Sequence, residues 1–402
     1  MGSITDRFPV KMVRQLQFFL LLGSVFIIFF IIVHWDEVKD GTFYLHAALS
    51  TPALPASVVS SERWTSEDLF IWKESSRSVK PNLTIISAHP NNLTHMFMQS
   101  SSKNLKLRQA RRKRIIKELC SANSSLIFPG KFRTFDQIPS KELDHLIVDD
   151  RHGVIYCFVP KVACTNWKRI MIVLSQKLKA PDGAPYLDPL DIPSALSHNA
   201  TVHLTFNKFW RLFGHFSRPL MHHKLKNYTK FLFVRDPFVR LISAFRNKFA
   251  LPNEDFYKQF GSTMLQRYAN ISQPPASAQE AFAASIRLSF THFINYLLDP
   301  KTEKEKPFNE HWQQMHRLCH PCQIDYDFVG KLETLHEDTE HLLKILGISN
   351  QIHFPPGYRN RTAVKWEREW FANVSVADRR KLYGLYEADF RLFGYNKPET
   401  LF

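Results

Sequence analysis

The sequence predicts an α/β domain built on a mainly parallel central sheet flanked by helices. Three observations carry that prediction. Apolar, strand-like runs such as "GVIYCFV" and "KFLFV" alternate with helical patterns such as "SAQEAFAASIRLSFTHFINYLL" and "TEHLLKILG", the alternation that builds βα units. Two of the strand-like runs lead directly into a short loop and an amphipathic helix. The composition, 44% hydrophobic with 13% aromatic residues, fills a core and excludes a wholly disordered chain.

The N-terminus comes first in the chain and reads differently. "FFLLLGSVFIIFFIIVHW", Phe18 to Trp35, has about the length that crosses a bilayer. Arg7, Lys11 and Arg14 precede it, and Asp36, Glu37 and Asp40 follow. Positive flanks stay in the cytosol, and the run is too long, without a small-residue cleavage site, for a removed signal peptide. The expected organisation is a cytoplasmic tail (1–15), a transmembrane signal-anchor (16–35), a lumenal stem (36–118) and a catalytic domain (119–402). Residues 36–102 are rich in Ser, Thr, Pro and Asn, as a spacer would be.

Charge and sequons fit that topology. The formal charge of +16 favours an acidic partner. Asn-x-Ser/Thr tripeptides begin at Asn82, Asn92, Asn123, Asn199, Asn227, Asn270, Asn360 and Asn373, and they mark a glycoprotein of the secretory pathway. A lumenal domain does not meet nucleic acid, which leaves acidic polysaccharide and anionic lipid as partners. The basic run Lys103 to Lys117 reads as a solvated helix start, a polyanion patch or, at "RRKR", a processing site.

Five cysteines are an odd number for an oxidising compartment. "CHPC", Cys319 to Cys322, is expected to close a local disulfide. A zinc site with His316 and His320 is the weaker reading, since one CxxC without a second pair is a poor metal signal.

The chemistry concentrates in two matched loops. After "GVIYCFV", Pro160 ends the strand and "KVACT" turns the chain. Trp167, Ile170, Met171, Leu174 and Leu178 then form one apolar helical stripe. The free N–H groups at such a helix start favour an anion, and Lys161, Thr165 and Asn166 add a cation and hydrogen-bonding groups. After "KFLFV", Arg235 and Asp236 lead to Pro237 at the first helical position. Phe238, Leu241, Ile242, Phe245 and Phe249 repeat the stripe, which leaves Arg240 and Ser243 free to meet a ligand. Two such units suit one ligand with anionic groups at both ends.

At these residues the sequence resembles the Golgi carbohydrate sulfotransferases, in the branch of the chondroitin 4-O-sulfotransferases and the HNK-1 sulfotransferase. "PKVACTNWKR" is similar to that family's loop for the 5′-phosphosulfate of the donor PAPS (3′-phosphoadenosine 5′-phosphosulfate). "RDPFVRLISAF" is similar to its 3′-phosphate site. "HLTFNKFW", "FNEHW", "CQIDYDFVGKLETL", "YRNRT" and "LYEADFRLFGY" extend the likeness over residues 119–396. The resemblance implies a P-loop-like sulfotransferase fold and PAPS as co-substrate, with no metal; a nucleoside-triphosphate loop would carry Gly-Lys-Ser/Thr.

The donor-binding residues it implies are Pro160, Lys161, Val162, Ala163, Cys164, Thr165, Asn166 and Trp167 in the first loop. In the second they are Arg235, Asp236, Pro237, Phe238, Val239, Arg240, Leu241, Ile242 and Ser243. Lys161 is also catalytic, neutralising the leaving oxygen. His203 is expected as the base, with His311 and Glu310 in reserve and Glu333 in support. Lys208, Arg211, Lys224, Lys226, Lys230, Arg359 and Arg361 are candidate contacts for a chondroitin or dermatan chain at the Golgi membrane. N-glycan N-acetylgalactosamine and terminal glucuronic acid are the alternative acceptors. Two rivals stand outside the resemblance. One is a glycosyltransferase using Asp325 and Asp327 of "DYD" on a metal, and the other is a non-catalytic polyanion-binding protein.

Overall fold

The computed structural model describes residues 90–356 and 364–401. The anchor, most of the stem, and Arg359 and Arg361 of "YRNRT" lie outside the described residues. No helix among those described is long and apolar enough to cross a membrane.

Four strands form one sheet in the order β1 (Leu146–Asp149), β2 (Val154–Cys157), β3 (Thr229–Val234) and β4 (Phe328–Lys331). β1 and β2 form an antiparallel hairpin, whereas β2–β3 and β3–β4 are parallel. Nearly every strand residue is buried, which is why the strands read as continuous apolar runs. Because β2 and β3 are parallel neighbours, with Cys157 opposite Leu232, the loops that follow them leave the same edge of the sheet.

Nine helices of eight or more residues are described: α1 (Pro90–Cys120), α2 (Cys164–Ser175), α3 (Phe206–Phe213), α4 (Ser217–Asn227), α5 (Pro237–Lys248), α6 (Phe290–Leu298), α7 (Leu335–Ile345), α8 (Val364–Phe371) and α9 (Val376–Leu392). The two expected stripes hold: Trp167, Ile170, Met171 and Leu174 of α2 and Phe238, Leu241, Ile242 and Phe245 of α5 are buried. Leu178 lies beyond α2, which stops at Ser175 where Gln176 turns left-handed (φ 49°). The long pattern from Ser277 to Leu298 is two helices, because Ser289 caps a new start by accepting the His292 N–H. At Gly330 on β4 a β-carbon would run into the Phe233 ring.

In α1 the basic run is solvated along most of its cations, Lys103, Lys106, Arg111, Lys113, Arg114 and Lys117, but one face packs on the sheet. The Gln109 side chain donates to the Val329 carbonyl (3.1 Å) and accepts from its N–H (3.0 Å), pairing the exposed edge of β4 as another strand would. Arg112 is buried. It donates to the same carbonyl (2.8 Å) and to Asp338 (2.7 Å).

The disulfides also depart from expectation. Cys120 pairs with Cys322 and Cys157 with Cys319, while Cys164 is free. No local 319–322 bridge forms, because left-handed His320 (φ 47°) turns the chain between the two cysteines and each meets a partner far away in sequence. His316 is engaged by Asp389 (2.8 Å), and His320 by Arg133 (2.8 Å) and the Glu142 carbonyl (3.1 Å).

Candidate active site

The loop after β2 explains how an anion loop works without glycine. Lys161 (φ 71°) and Ala163 (φ 54°) both take left-handed backbone, which costs an ordinary residue about 1 kcal/mol or more. Alternating left- and right-handed residues turn successive N–H groups to one side, forming a concave anion nest. Among the described residues, none of the backbone N–H groups of 161–166 is donated to another protein group. They converge where α2 begins, at the positive end of its dipole.

The second loop meets the first directly. Arg235, at the end of β3, donates from Nη1 to the Lys161 carbonyl (3.3 Å). Asp236 caps α5 by accepting the N–H groups of Phe238 (2.9 Å) and Val239 (3.1 Å). Its own N–H is held by Glu333 (2.9 Å), whose second oxygen accepts from the Tyr395 hydroxyl (2.9 Å). Ser243 is partly exposed one and a half turns along α5.

Positive charge collects here. Burial, reinforced by Lys248, Arg235 and Arg240, lowers the Lys161 pKa to about 8. Such a cluster of like charges, with open amides beside it, fits a ligand that carries several negative charges. Thr165 Oγ1 meets His198 Nε2 (2.9 Å) and Asn166 donates to the Pro355 carbonyl (3.3 Å).

Several predicted ligand residues serve other ends. Arg240 is not free to meet a ligand. It is 1% exposed and donates to the carbonyls of Pro160 (3.0 Å), Gln313 (2.7 Å) and Glu310 (2.6 Å). It therefore ties the first loop to the "NEHWQQ" segment. Val162, Trp167, Phe238, Leu241 and Ile242 place their side chains in the core, and they shape the loops from beneath. Lys224 pairs with Asp150, and Lys230 with Asp327 (2.8 Å). Those two cations are structural, and Asp327 of "DYD" is committed to Lys230.

The histidines separate into two kinds. His203 is buried, with Nε2 on the Ser197 carbonyl (2.8 Å), and burial lowers its pKa to about 4. His311 stands in the "NEHW" segment that Arg240 holds. Asn309 Oδ1 accepts both the His311 backbone N–H (3.1 Å) and its Nδ1 proton (2.7 Å). That fixes the proton on Nδ1 and leaves Nε2 as an open acceptor. Burial, then Lys248, Lys161 and Arg240, lower the His311 pKa to about 2, which keeps the ring neutral. Lys248 escaped the sequence reading: the last turn of a helix commonly carries a lysine, and nothing local marks this one as facing the site.

Comparison with known proteins gives the family. The model of the sulfotransferase family matches residues 144–396, which contain both loops and the "NEHW" segment. Carbohydrate sulfotransferase 12 of Mus musculus is 55% identical over 416 residues, covering 96% of this chain and 98% of its own. Carbohydrate sulfotransferase 11 of Rattus norvegicus is 42% identical over 73% of this chain and 78% of its own. Carbohydrate sulfotransferase 8 of Homo sapiens is 34% identical over 72% and 63%. No solved structure matches the chain. With two anion loops joined at one sheet edge and relatives of this kind along nearly its whole length, the chain belongs to the sulfotransferase family, among the carbohydrate sulfotransferases.

Proposed function

We propose that this protein transfers a sulfuryl group from PAPS to the 4-hydroxyl of N-acetylgalactosamine in chondroitin, and in desulfated dermatan, within the Golgi lumen. Residues 16–35 anchor it there as a single-pass protein with the catalytic domain lumenal. The observation that carries the donor assignment is the contact between Arg235 and the Lys161 carbonyl. It brings the cationic ends of two parallel strands within reach of one bisphosphorylated nucleotide.

The donor, when bound, supplies a sulfuryl group already activated on a phosphate. The open amides of 161–166, with Thr165 and Asn166, hold the 5′ end, and Lys161 Nζ neutralises charge on the departing oxygen. Arg235 and Ser243 hold the 3′-phosphate, Arg235 by the paired N–H groups it does not spend on Lys161. Catalysis here rests on positioning and charge neutralisation, as in phosphoryl transfer. The proton of the acceptor hydroxyl passes to Nε2 of His311, whose basicity rises once the donor's anionic groups offset the Lys161 and Lys248 charges that lower it. His203 was the expected base; its ring is almost wholly buried, with Nε2 donating to the Ser197 carbonyl, so an acceptor hydroxyl does not reach it.

The decisive assay incubates the solubilised full chain with labelled PAPS and desulfated chondroitin and digests the product to disaccharides. Label on the 4-position of N-acetylgalactosamine is the expected result. Label on another position or sugar would reject the acceptor assignment, and no transfer at all would reject the donor assignment.

A further inference from the structure

Lys248 is the last residue of α5. Twelve residues at about 1.5 Å each put it roughly 17 Å along the axis from the end where Arg235 and Asp236 sit, far from the 3′-phosphate pocket. It lies close enough to Lys161 and His311 to lower both pKa values. Its ammonium rests 4.2 Å from the centre of the Phe256 ring and makes no hydrogen bond or ion pair among the described residues. Glu310, Cys164 and Asp255 act on it only from beyond ion-pair distance; Glu310 lies between His145 Nε2 (3.4 Å) and His311 Nδ1 (3.9 Å).

Phe256 is a fixed pedestal. It packs on Phe249 (6.1 Å), Phe260 (5.7 Å) and Trp312 (6.2 Å), and stands edge-on to His311 at 5.4 Å and 88°. One aromatic ring therefore positions both the ring that takes the proton and a half-buried cation without a counter-ion. A cation held on a ring face keeps its N–H donors available. An unpaired, partly desolvated ammonium is costly unless a ligand completes it. The donor's two anionic ends already have their partners in the loop amides, Lys161 and Arg235. The anion that meets Lys248 belongs to the acceptor side, next to His311.

Resting on the sulfuryl transfer proposed above, we infer that Lys248, held on Phe256, is the subsite that reads the uronate carboxylate neighbouring the reacting sugar. It makes the enzyme select a uronate-bearing chain over a neutral chain with the same hydroxyl.

The test uses the full chain saturated with adenosine 3′,5′-bisphosphate. Binding of desulfated chondroitin and of its carboxyl-reduced form is measured by calorimetry for wild type, Lys248→Gln and Lys248→Arg. Wild type should prefer the carboxylate polymer. Lys248→Gln should weaken that polymer about tenfold, as expected for one charge-assisted hydrogen bond, leave the reduced polymer unchanged and so abolish the preference; Lys248→Arg should keep it. A Gln variant that retains the preference overturns the inference. So does equal weakening of both polymers with a fall in kcat, which would place Lys248 on the sulfuryl group. Wild type that fails to bind the bisphosphate would instead reject the donor site on which the inference rests.

Discussion

Arg235 Nη1 donates to the carbonyl of Lys161 across 74 residues of sequence, at 3.3 Å. The cation at the end of β3 thus braces the backbone of the lysine at the end of β2. The two residues are therefore coupled structurally: Arg235 braces the left-handed turn at Lys161, beside the open amides.

Donor affinity should depend on pH through Lys161. Its free-state pKa is lowered to about 8, and a bound bisphosphate favours the charged form and raises that value. Protonation therefore accompanies binding, so affinity is full below about pH 8 and falls as pH rises through it, by up to tenfold per unit. Arginine stays charged throughout. Calorimetry of adenosine 3′,5′-bisphosphate between pH 7 and 9.5 should show this decline in wild type and its loss in Lys161→Arg. A wild-type affinity flat across that range contradicts the account.

His311 and His203 should fail in different ways. His311→Gln should lower kcat by about 10²- to 10⁴-fold, the range of a lost general base, with bisphosphate binding retained. His203→Ala leaves the buried Ser197 carbonyl without its partner and should cost about 1–3 kcal/mol of stability, read from the urea midpoint. If His203→Ala alone stopped turnover in a normally stable protein, the base would return to His203.

Much of this site was legible in the sequence. The two loops were visible because each is local: a strand, a break and a helix start, with apolar stripes that fix which way the helices face. Arg240 was misread for a reason of kind. Its place off the stripe says only that it avoids the main packing face, whereas its three carbonyl acceptors come from Pro160, Glu310 and Gln313, which the fold alone brings together. The same holds for His203, whose burial depends on how the segment from Ser197 folds back, and for the four bonded cysteines.

The basic helix start should prove part of the folded domain. A chain beginning at Leu119 removes Gln109 and Arg112, exposing the edge of β4 and leaving Asp338, which is fully buried, without its closest cation. Arg112→Ala should cost about 1–3 kcal/mol, because the Val329 carbonyl and Asp338 each lose a donor while Asp338 keeps Arg108 (2.8 Å) and the Thr334 hydroxyl (2.6 Å). Secretion should be far lower for the Leu119 chain than for one beginning at Ser87. Processing at "RRKR" in the native protein should be undetectable, since Arg112 is buried within the helix. Equal secretion of the two chains would contradict the role given to α1.

Disulfide mapping should recover linked peptides joining Cys120 to Cys322 and Cys157 to Cys319. These bridges span 202 and 162 residues, loops long enough that each contributes about 5 kcal/mol on a chain-entropy estimate. Cys164, the first residue of α2, should be the cysteine that alkylates, and bisphosphate should slow the reaction. A peptide closed between Cys319 and Cys322 would contradict the pairing.

The central claim is tested most directly by pairing a variant with a trimmed ligand. Calorimetry compares adenosine 3′,5′-bisphosphate with adenosine 5′-monophosphate on wild type and on Arg235→Ala. If the two loops grip one nucleotide, wild type strongly prefers the bisphosphate and Arg235→Ala binds both ligands about equally weakly. An Arg235→Ala protein that still prefers the bisphosphate as strongly as wild type would place the 3′-phosphate elsewhere and end the two-loop account.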